Sequence, residues 1–183
     1  GKHGRKITGL QQHIGSNILD PKLFIRAMKA LLKTAKQFDK LEYLDFGGGF
    51  GVPYRPDEPR LDIAELGKLI DETMNEFAEK TENQPRLSFE PGRYLVAEAG
   101  MLLVSVTDVK VNPNKTFVGV NTGFNQLLRP AMYDSYHHIV NVSNPKGDLQ
   151  KVTVAGNVCE SGDVLAKDRM LPECREGDVL AIM

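Results

Sequence analysis

Glu42-Tyr43-Leu44-Asp45-Phe46-Gly47-Gly48-Gly49-Phe50-Gly51 decides the fold, because a short β-like run breaks at once into a loop almost without side chains. The same kind of run recurs on both sides. Ile7 to His13 reads as a strand upstream, and Arg86 to Phe89 reads as one downstream. Helical patterns fill the intervals. Asp20-Pro21 supplies an N-cap with Pro in the first helical position, followed by Leu23, Phe24, Ala27, Leu31 and Ala35 at helical spacing. Asp62 and Glu65 have capping-box spacing, and Ile63, Leu66, Ile70, Met74 and Phe77 form the apolar stripe of a second helix. Strand, helix, strand, helix, strand in that order requires parallel strands joined by crossover helices, in a barrel or an open doubly wound sheet.

From about Gly100 the helical period disappears. Met101 to Val111, Lys115 to Asn121, His137 to Val142, Gln150 to Val158 and Asp178 to Met183 read as strands, separated by turns such as Asn112-Pro113-Asn114 and Asn144-Pro145-Lys146-Gly147. This predicts a mostly antiparallel β domain over 99–183 after an α/β domain over 1–98, with a short junction near Ala97 to Gly100. Three parallel strands leave open edges on both sides, and the sequence stops inside an apolar strand pattern, so a fragment of a longer protein is expected. A self-contained three-stranded α/β unit capped by a β-sheet is the alternative.

Composition narrows the function. The 183 residues carry 23 Lys+Arg against 24 Asp+Glu, a formal net charge of −1, which argues against a basic nucleic-acid face or a polybasic membrane anchor. Hydrophobic residues at 41%, with 17 Gly, match an ordinary globular chain. No apolar run approaches the length needed to span a bilayer, and Gly1-Lys2-His3-Gly4-Arg5-Lys6 is followed by no apolar leader segment, so a cytoplasmic protein is expected. Cys159 and Cys174 are too few for a disulfide framework. His3, His137 and His138 form no metal-ligand spacing with any Cys or carboxylate, so no metal site is expected.

The chemistry-bearing residues sit where strands end. His13-Ile14-Gly15-Ser16 closes the first strand, Gly47-Gly48-Gly49-Phe50-Gly51 follows the second, and Glu90-Pro91-Gly92-Arg93 follows the third. A His there can stack on a flat group or move protons, a Ser can bond a phosphate oxygen, and a glycine loop lets N–H groups converge on an anion. Each motif alone reads equally as a turn, a cap or a surface ion pair. Together they share the carboxyl ends of successive parallel strands, the face on which α/β barrels build active sites. In the β half, Arg129 and Tyr133 are four residues apart and suited to a carboxylate. Cys159-Glu160-Ser161-Gly162-Asp163 ends a strand with a thiol that can donate a proton and a carboxylate that can recognise an ammonium group. Cys174, in the polar Pro172-Glu173-Cys174-Arg175-Glu176 turn, is assigned no role.

These segments, with Asn125-Gln126-Leu127-Leu128-Arg129-Pro130-Ala131-Met132-Tyr133 and the continuation Val164-Leu165-Ala166, occur in an order and spacing that resembles the diaminopimelate decarboxylases over essentially the whole chain. The resemblance implies a pyridoxal-phosphate enzyme of the alanine-racemase-like type, in which 1–98 would be the last three β/α units of a (β/α)8 barrel and 99–183 most of the β domain. It implies that His13 stacks on the pyridine ring and that Glu90 faces the pyridine nitrogen. Ser16, Gly47, Gly48, Gly49 and the turn of Pro91, Gly92 and Arg93 would hold the phosphate. Arg93, Arg129 and Tyr133 would bind a substrate carboxylate.

Across a homodimer interface, Cys159 would reprotonate the product carbon and Glu160 would hold the distal amino group of meso-diaminopimelate, giving L-lysine and carbon dioxide. The family's Tyr-x-x-Lys segment, whose lysine binds the cofactor covalently, does not occur in the chain, so this stretch alone is expected to be inactive. Asn121-Thr122-Gly123 stands where Asp-Ala-Gly is usual, and Asn157-Val158 where Pro-Ile is common. A related ornithine, arginine or carboxynorspermidine decarboxylase is the second expectation, against which Cys159-Glu160 argues. A non-catalytic pyridoxal-phosphate carrier is the third.

Overall fold

The computed structural model describes residues 4, 6–81 and 83–183, so His3 lies outside the described residues. It divides into two compact units: one holds the chain up to Pro53 together with Asp57–Ala97, and the other holds Tyr54–Pro56 with Glu98–Met183.

The first unit is built from β1 (Gly9–Gln11), α1 (Pro21–Ala35), β2 (Tyr43–Asp45), α2 (Ile63–Thr81), β3 (Arg86–Ser88) and α3 (Gly92–Val96). Its three strands pair in parallel in the order β1-β2-β3, with Leu10 opposite Leu44 and Leu44 opposite Leu87. Asp20 caps α1 through its Oδ1, which accepts from the Lys22 N–H at 2.9 Å, and Asp62 Oδ1 accepts from the Glu65 N–H at 2.9 Å at the start of α2. The buried stripe of α1 is Phe24, Met28, Leu31, Leu32 and Ala35, rotated from the expected one: Leu23 is exposed. Ile63, expected to be buried in α2, is exposed too. Leu44 and Phe46 complete the layer between sheet and helices. The strands are shorter than their apolar runs suggest, because residues flanking each run sit in the loops that form the cleft described below.

The second unit contains β4 (Leu102–Asn112), β5 (Lys115–Val120), α4 (Arg129–Tyr133), β6 (Ile139–Asn141), β7 (Leu149–Ala155), β8 (Val164–Pro172) and β9 (Val179–Ile182). Its six-stranded mixed sheet runs β6-β9-β4-β5-β7-β8, and the outermost strands β6 and β8 touch, which gives the sheet a barrel-like curl. β4 is shared: Leu102–Ser105 pair with β9 and the remainder from Val106 pairs with β5, with a register shift between Val106 and Asp108. All pairings are antiparallel except β5 with β7. Val118, Val154 and Leu180 are fully buried at the centre of the core.

β8 was not expected from the sequence. Lys167 and Asp168 stand opposite Thr153 alone, so the strand carries a bulge and its apolar alternation is interrupted. β7 ends at Ala155, which leaves Cys159 in the following loop and not at a strand end. Cys174, expected in a polar turn, is buried: Asn141 Nδ2 reaches its sulfur at 3.8 Å, and the thiol donates to the Pro172 carbonyl at 3.3 Å.

Candidate active site

In the first unit the three loops after β1, β2 and β3 lie side by side, because the strands are parallel and consecutive in the sheet. They enclose a cleft of about 300 Å³ lined by His13, Ser16, Asn17, Gly48, Gly49, Phe50, Glu90, Pro91, Gly92 and Arg93. Eight of the nine expected cofactor residues, His13, Ser16, Gly48, Gly49, Glu90, Pro91, Gly92 and Arg93, therefore share one cavity. Gly47 does not line it.

The loops are tied together by backbone. The Glu90 N–H donates to the Gly47 carbonyl at 2.8 Å, and the Ile18 N–H donates to the Gly49 carbonyl at 2.8 Å. The Gly47 N–H is taken by Asp45 Oδ1 at 2.8 Å and the Gly48 N–H by His13 Nδ1 at 3.3 Å. An acceptor role at Nδ1 puts the ring proton of neutral His13 on Nε2. Gly47 has φ +69° and a Cβ there would land on the Gln12 carbonyl oxygen; Gly49 has φ +95° and a Cβ would land on that of Gly15. The glycines are thus required by the close approach of neighbouring loops, whether or not an anion binds.

What remains available for an anion is narrower than the sequence suggested. Gly47 and Gly48 have spent their N–H groups inside the protein, whereas the Gly49 N–H has no partner among the described residues. A Cβ at Gly92 would meet nothing within 4 Å, so the cleft is open there. At the start of α3 the Gly92 N–H is likewise taken, by the Glu90 carbonyl at 2.8 Å. An open cavity with the unspent Gly49 N–H, a hydroxyl, an imidazole, a guanidinium and one carboxylate fits a phosphorylated aromatic ring.

Asn17 was missed by sequence reasoning. It sits at φ +56° in the cleft wall, and its Oδ1 accepts the Val52 N–H at 2.9 Å, holding the glycine loop's exit. Its signal was available, since Asn tolerates the left-handed region better than most residues.

In the second unit Arg129 opens α4, and one of its terminal nitrogens donates to the Tyr54 hydroxyl and to Ser135 Oγ, both at 3.2 Å. Its guanidinium carbon lies 5.9 Å from the Tyr54 ring and 5.7 Å from the Tyr133 ring. Tyr54 and Ser135, which the sequence did not single out, therefore orient the arginine. Tyr133 is exposed at the end of the helix.

Cys159 is an exposed free thiol, and Glu160 Oε1 accepts from Ser161 Oγ at 3.1 Å and from the Gly162 N–H at 3.3 Å. Among the described residues no hydrogen bond, ion pair or ring contact joins this turn to Arg129 or Tyr133. Asp163 is the turn's anchor. It is only 3% exposed, and its carboxylate accepts the Phe124 N–H at 2.7 Å and the Val158 N–H at 2.8 Å, clamping the loops after β5 and β7 together. Its burial in a polar turn motif carried no sequence signal. No group of three His, Cys, Asp or Glu side chains suited to a metal occurs among the described residues, and no helix there is long and apolar enough to cross a membrane.

Comparison with known proteins follows the same lines. The model of the pyridoxal-dependent decarboxylases, C-terminal sheet domain, matches residues 20–183. The diaminopimelate decarboxylase of Methanothermobacter thermautotrophicus is 47% identical over 98% of this chain and 44% of its own length, and that of Methanocaldococcus jannaschii is 39% identical over 96% and 41%. A crystal structure of diaminopimelate decarboxylase superposes with a TM-score of 0.89 at 34% identity, covering 99% of this chain and 46% of that one. The chain spans less than half the length of these relatives. With a family model matched over nearly all its length and a cleft whose donors suit the phosphorylated ring, the chain belongs to the pyridoxal-dependent decarboxylases.

Proposed function

We propose that the full-length protein removes carbon dioxide from meso-diaminopimelate to give L-lysine. The observation that carries this is the convergence of His13, Ser16, Glu90 and Arg93 on one cleft at the carboxyl ends of three consecutive parallel strands. The names of the relatives supply the substrate. The first unit and its sequence expectation, 1–98, are then the last part of a (β/α)8 barrel, and 99–183 most of a β domain, in a cytoplasmic homodimer.

Pyridoxal phosphate, when bound, supplies an electron sink for the pair left on carbon as carbon dioxide departs. The chain's part is to hold and protonate. Ser16, the Gly49 N–H and Arg93, on the turn of Pro91 and Gly92, would hold the phosphate, while Gly47 and Gly48 fix the loop that presents Gly49. His13 would pack against the ring, and Glu90 would keep a proton at the ring nitrogen. Arg93, Arg129 and Tyr133 bind a substrate carboxylate, with Arg129 pre-aimed by Tyr54 and Ser135. From the partner subunit, the Cys159 thiol delivers a proton to the product carbon and Glu160 holds the distal ammonium group.

Mixing tests both the residues and the shared site. Two full-length variants, Glu90→Ala and Cys159→Ala with Glu160→Ala, should each be nearly inactive and should regain activity when refolded together. Random pairing makes about half of the dimers mixed, each with one intact site of two, so recovery should approach about a quarter of wild type. No recovery with mixed dimers shown to form would return Cys159 and Glu160 to their own chain's site. Normal carbon dioxide release by Glu90→Ala would remove Glu90 from its role.

A further inference from the structure

In the second unit the ring of Tyr136 carries two guanidinium groups, with the Arg55 and Arg169 carbons 4.1 and 3.5 Å from its centroid. Distances this short place both cations over the π face. The Arg169 side chain has no other partner: among the described residues it makes no hydrogen bond and no ion pair. Burial pushes its pKa below the usual range and the neighbouring Arg55 adds to this, while Tyr136 and Asp134 act the other way. A guanidinium has five N–H donors, and partly desolvating it without an acceptor is costly unless something anionic arrives.

The backbone is bent to make this arrangement. Val152 pairs with Arg169 and Val154 with Ala166, so the bulge at Lys167 and Asp168 decides where Arg169 stands on β8. Asp168 takes φ +51° there, and Asp134, just after α4, also takes φ +51°. Three non-glycine residues of the described chain have positive φ, and these two line the same cleft as Arg55, Tyr136 and Arg169. The cleft measures about 500 Å³. Its two acids are already faced by lysines, Asp134 by Lys167 at 4.0 Å and Asp168 by Lys115 at 3.9 Å.

We propose that this cleft binds a small organic carboxylate, with the acid forked onto Arg169 and its carbon skeleton against Pro130 and Met170. A guanidinium held over a tyrosine ring offers an edge of parallel N–H donors, which matches a planar carboxylate better than a tetrahedral phosphate. The volume exceeds that of a bare ion. The site is independent of the function proposed above, in which Arg55, Tyr136 and Arg169 have no part.

Glutarate is the probe, titrated calorimetrically into the full-length holoenzyme carrying Arg93→Ala and Arg129→Ala, so that neither arginine proposed for the substrate carboxylate contributes. A binding event is expected that Arg169→Met weakens at least tenfold, equivalent to about 1.4 kcal/mol, and that Arg169→Lys weakens severalfold because the fork is lost. Neutral glutaramide should not bind, and inorganic phosphate should bind more weakly than glutarate. Should Arg169→Met misfold, a ¹³C-methyl label in the otherwise unmutated protein replaces it: the Met170 resonance should move with glutarate while that of Met28, buried in the first unit, stays. No binding, equal affinity after Arg169→Met, a stationary Met170, or phosphate binding tighter than glutarate would each overturn the assignment.

Discussion

The glycine cleft of the first unit and the Cys159–Glu160 turn of the second are held in place by opposite means. The cleft is a backbone construction in which three loops approach so closely that Gly47 and Gly49 have no room for a Cβ. The turn is a side-chain construction in which one buried carboxylate, Asp163, gathers the amides of two loops. In the first case the information lies in missing atoms and in the second in one acid. The cleft should therefore fail whenever an atom is added, and the turn whenever one is removed.

Gly47→Ala is the harshest way to test that contrast. A left-handed Ala costs about 1–2 kcal/mol and overpacking against the Gln12 carbonyl about 1–3 more, so a loss near 3 kcal/mol is expected in urea unfolding of the full-length protein. Gly92→Ala, where the added methyl meets open space, should stay within about 0.5 kcal/mol. Similar values for the two would mean that close backbone packing does not shape the cleft.

Asp163→Ala should cost about 2–4 kcal/mol, because it leaves the Phe124 and Val158 N–H groups without their acceptor. Faster hydrogen exchange confined to those two amides would be its signature, and Asp163→Asn, with one carbonyl oxygen left, should fall between. Unchanged exchange would show that the turn is held by something else. Glu160→Gln sharpens the comparison from the other side. Its carboxylate is exposed and bonds only within its own turn, so stability should change by less than about 0.5 kcal/mol while the Michaelis constant for diaminopimelate rises about tenfold or more. A large loss of stability would make Glu160 part of the scaffold.

The smallest effect concerns pH. Burial is the main cause that raises the Cys174 thiol above its ordinary range, with Asp178 adding to it and the Asn141 bond opposing it. A group whose folded pKa is raised stabilises the fold fully below its unfolded pKa and loses that contribution as pH climbs toward the folded one. The second unit should thus weaken above about pH 8.5, where a free thiol ionises, and Cys174→Ala should flatten that part of the pH profile. An unaltered slope would place the loss in other groups.

What could be read from the sequence follows the same division. The two long helices, the parallel order of the first three strands and the strand-end motifs were legible, because 3.6-residue periodicity, an Asp-Pro cap and a run of glycines are local signals. β8 was not, since its bulge interrupts alternation at Lys167 and Asp168. Nor were α3 and α4, each too short to show a period. Asp163 read only as a second carboxylate of its turn, and the arrival of the distant Phe124 amide beside that of Val158 makes it a buried anchor. Tyr54 is a similar case: its partner Arg129 lies far along the chain. Side chains whose partners are remote leave no pattern around themselves.

β4 has a further consequence, for the order in which the molecule can assemble during synthesis. Its first half pairs with β9, so that Leu102 faces Ile182, while its second half finds β5 immediately after the next turn. On a ribosome the second half can zip at once, but Leu102 to Ser105 must wait until β9 has emerged. During that interval an apolar edge containing Leu103 and Val104 has no partner and is open to other nascent chains. Slow translation between β5 and β9 would lengthen the wait, and a chaperone that holds extended apolar segments would have its natural target there.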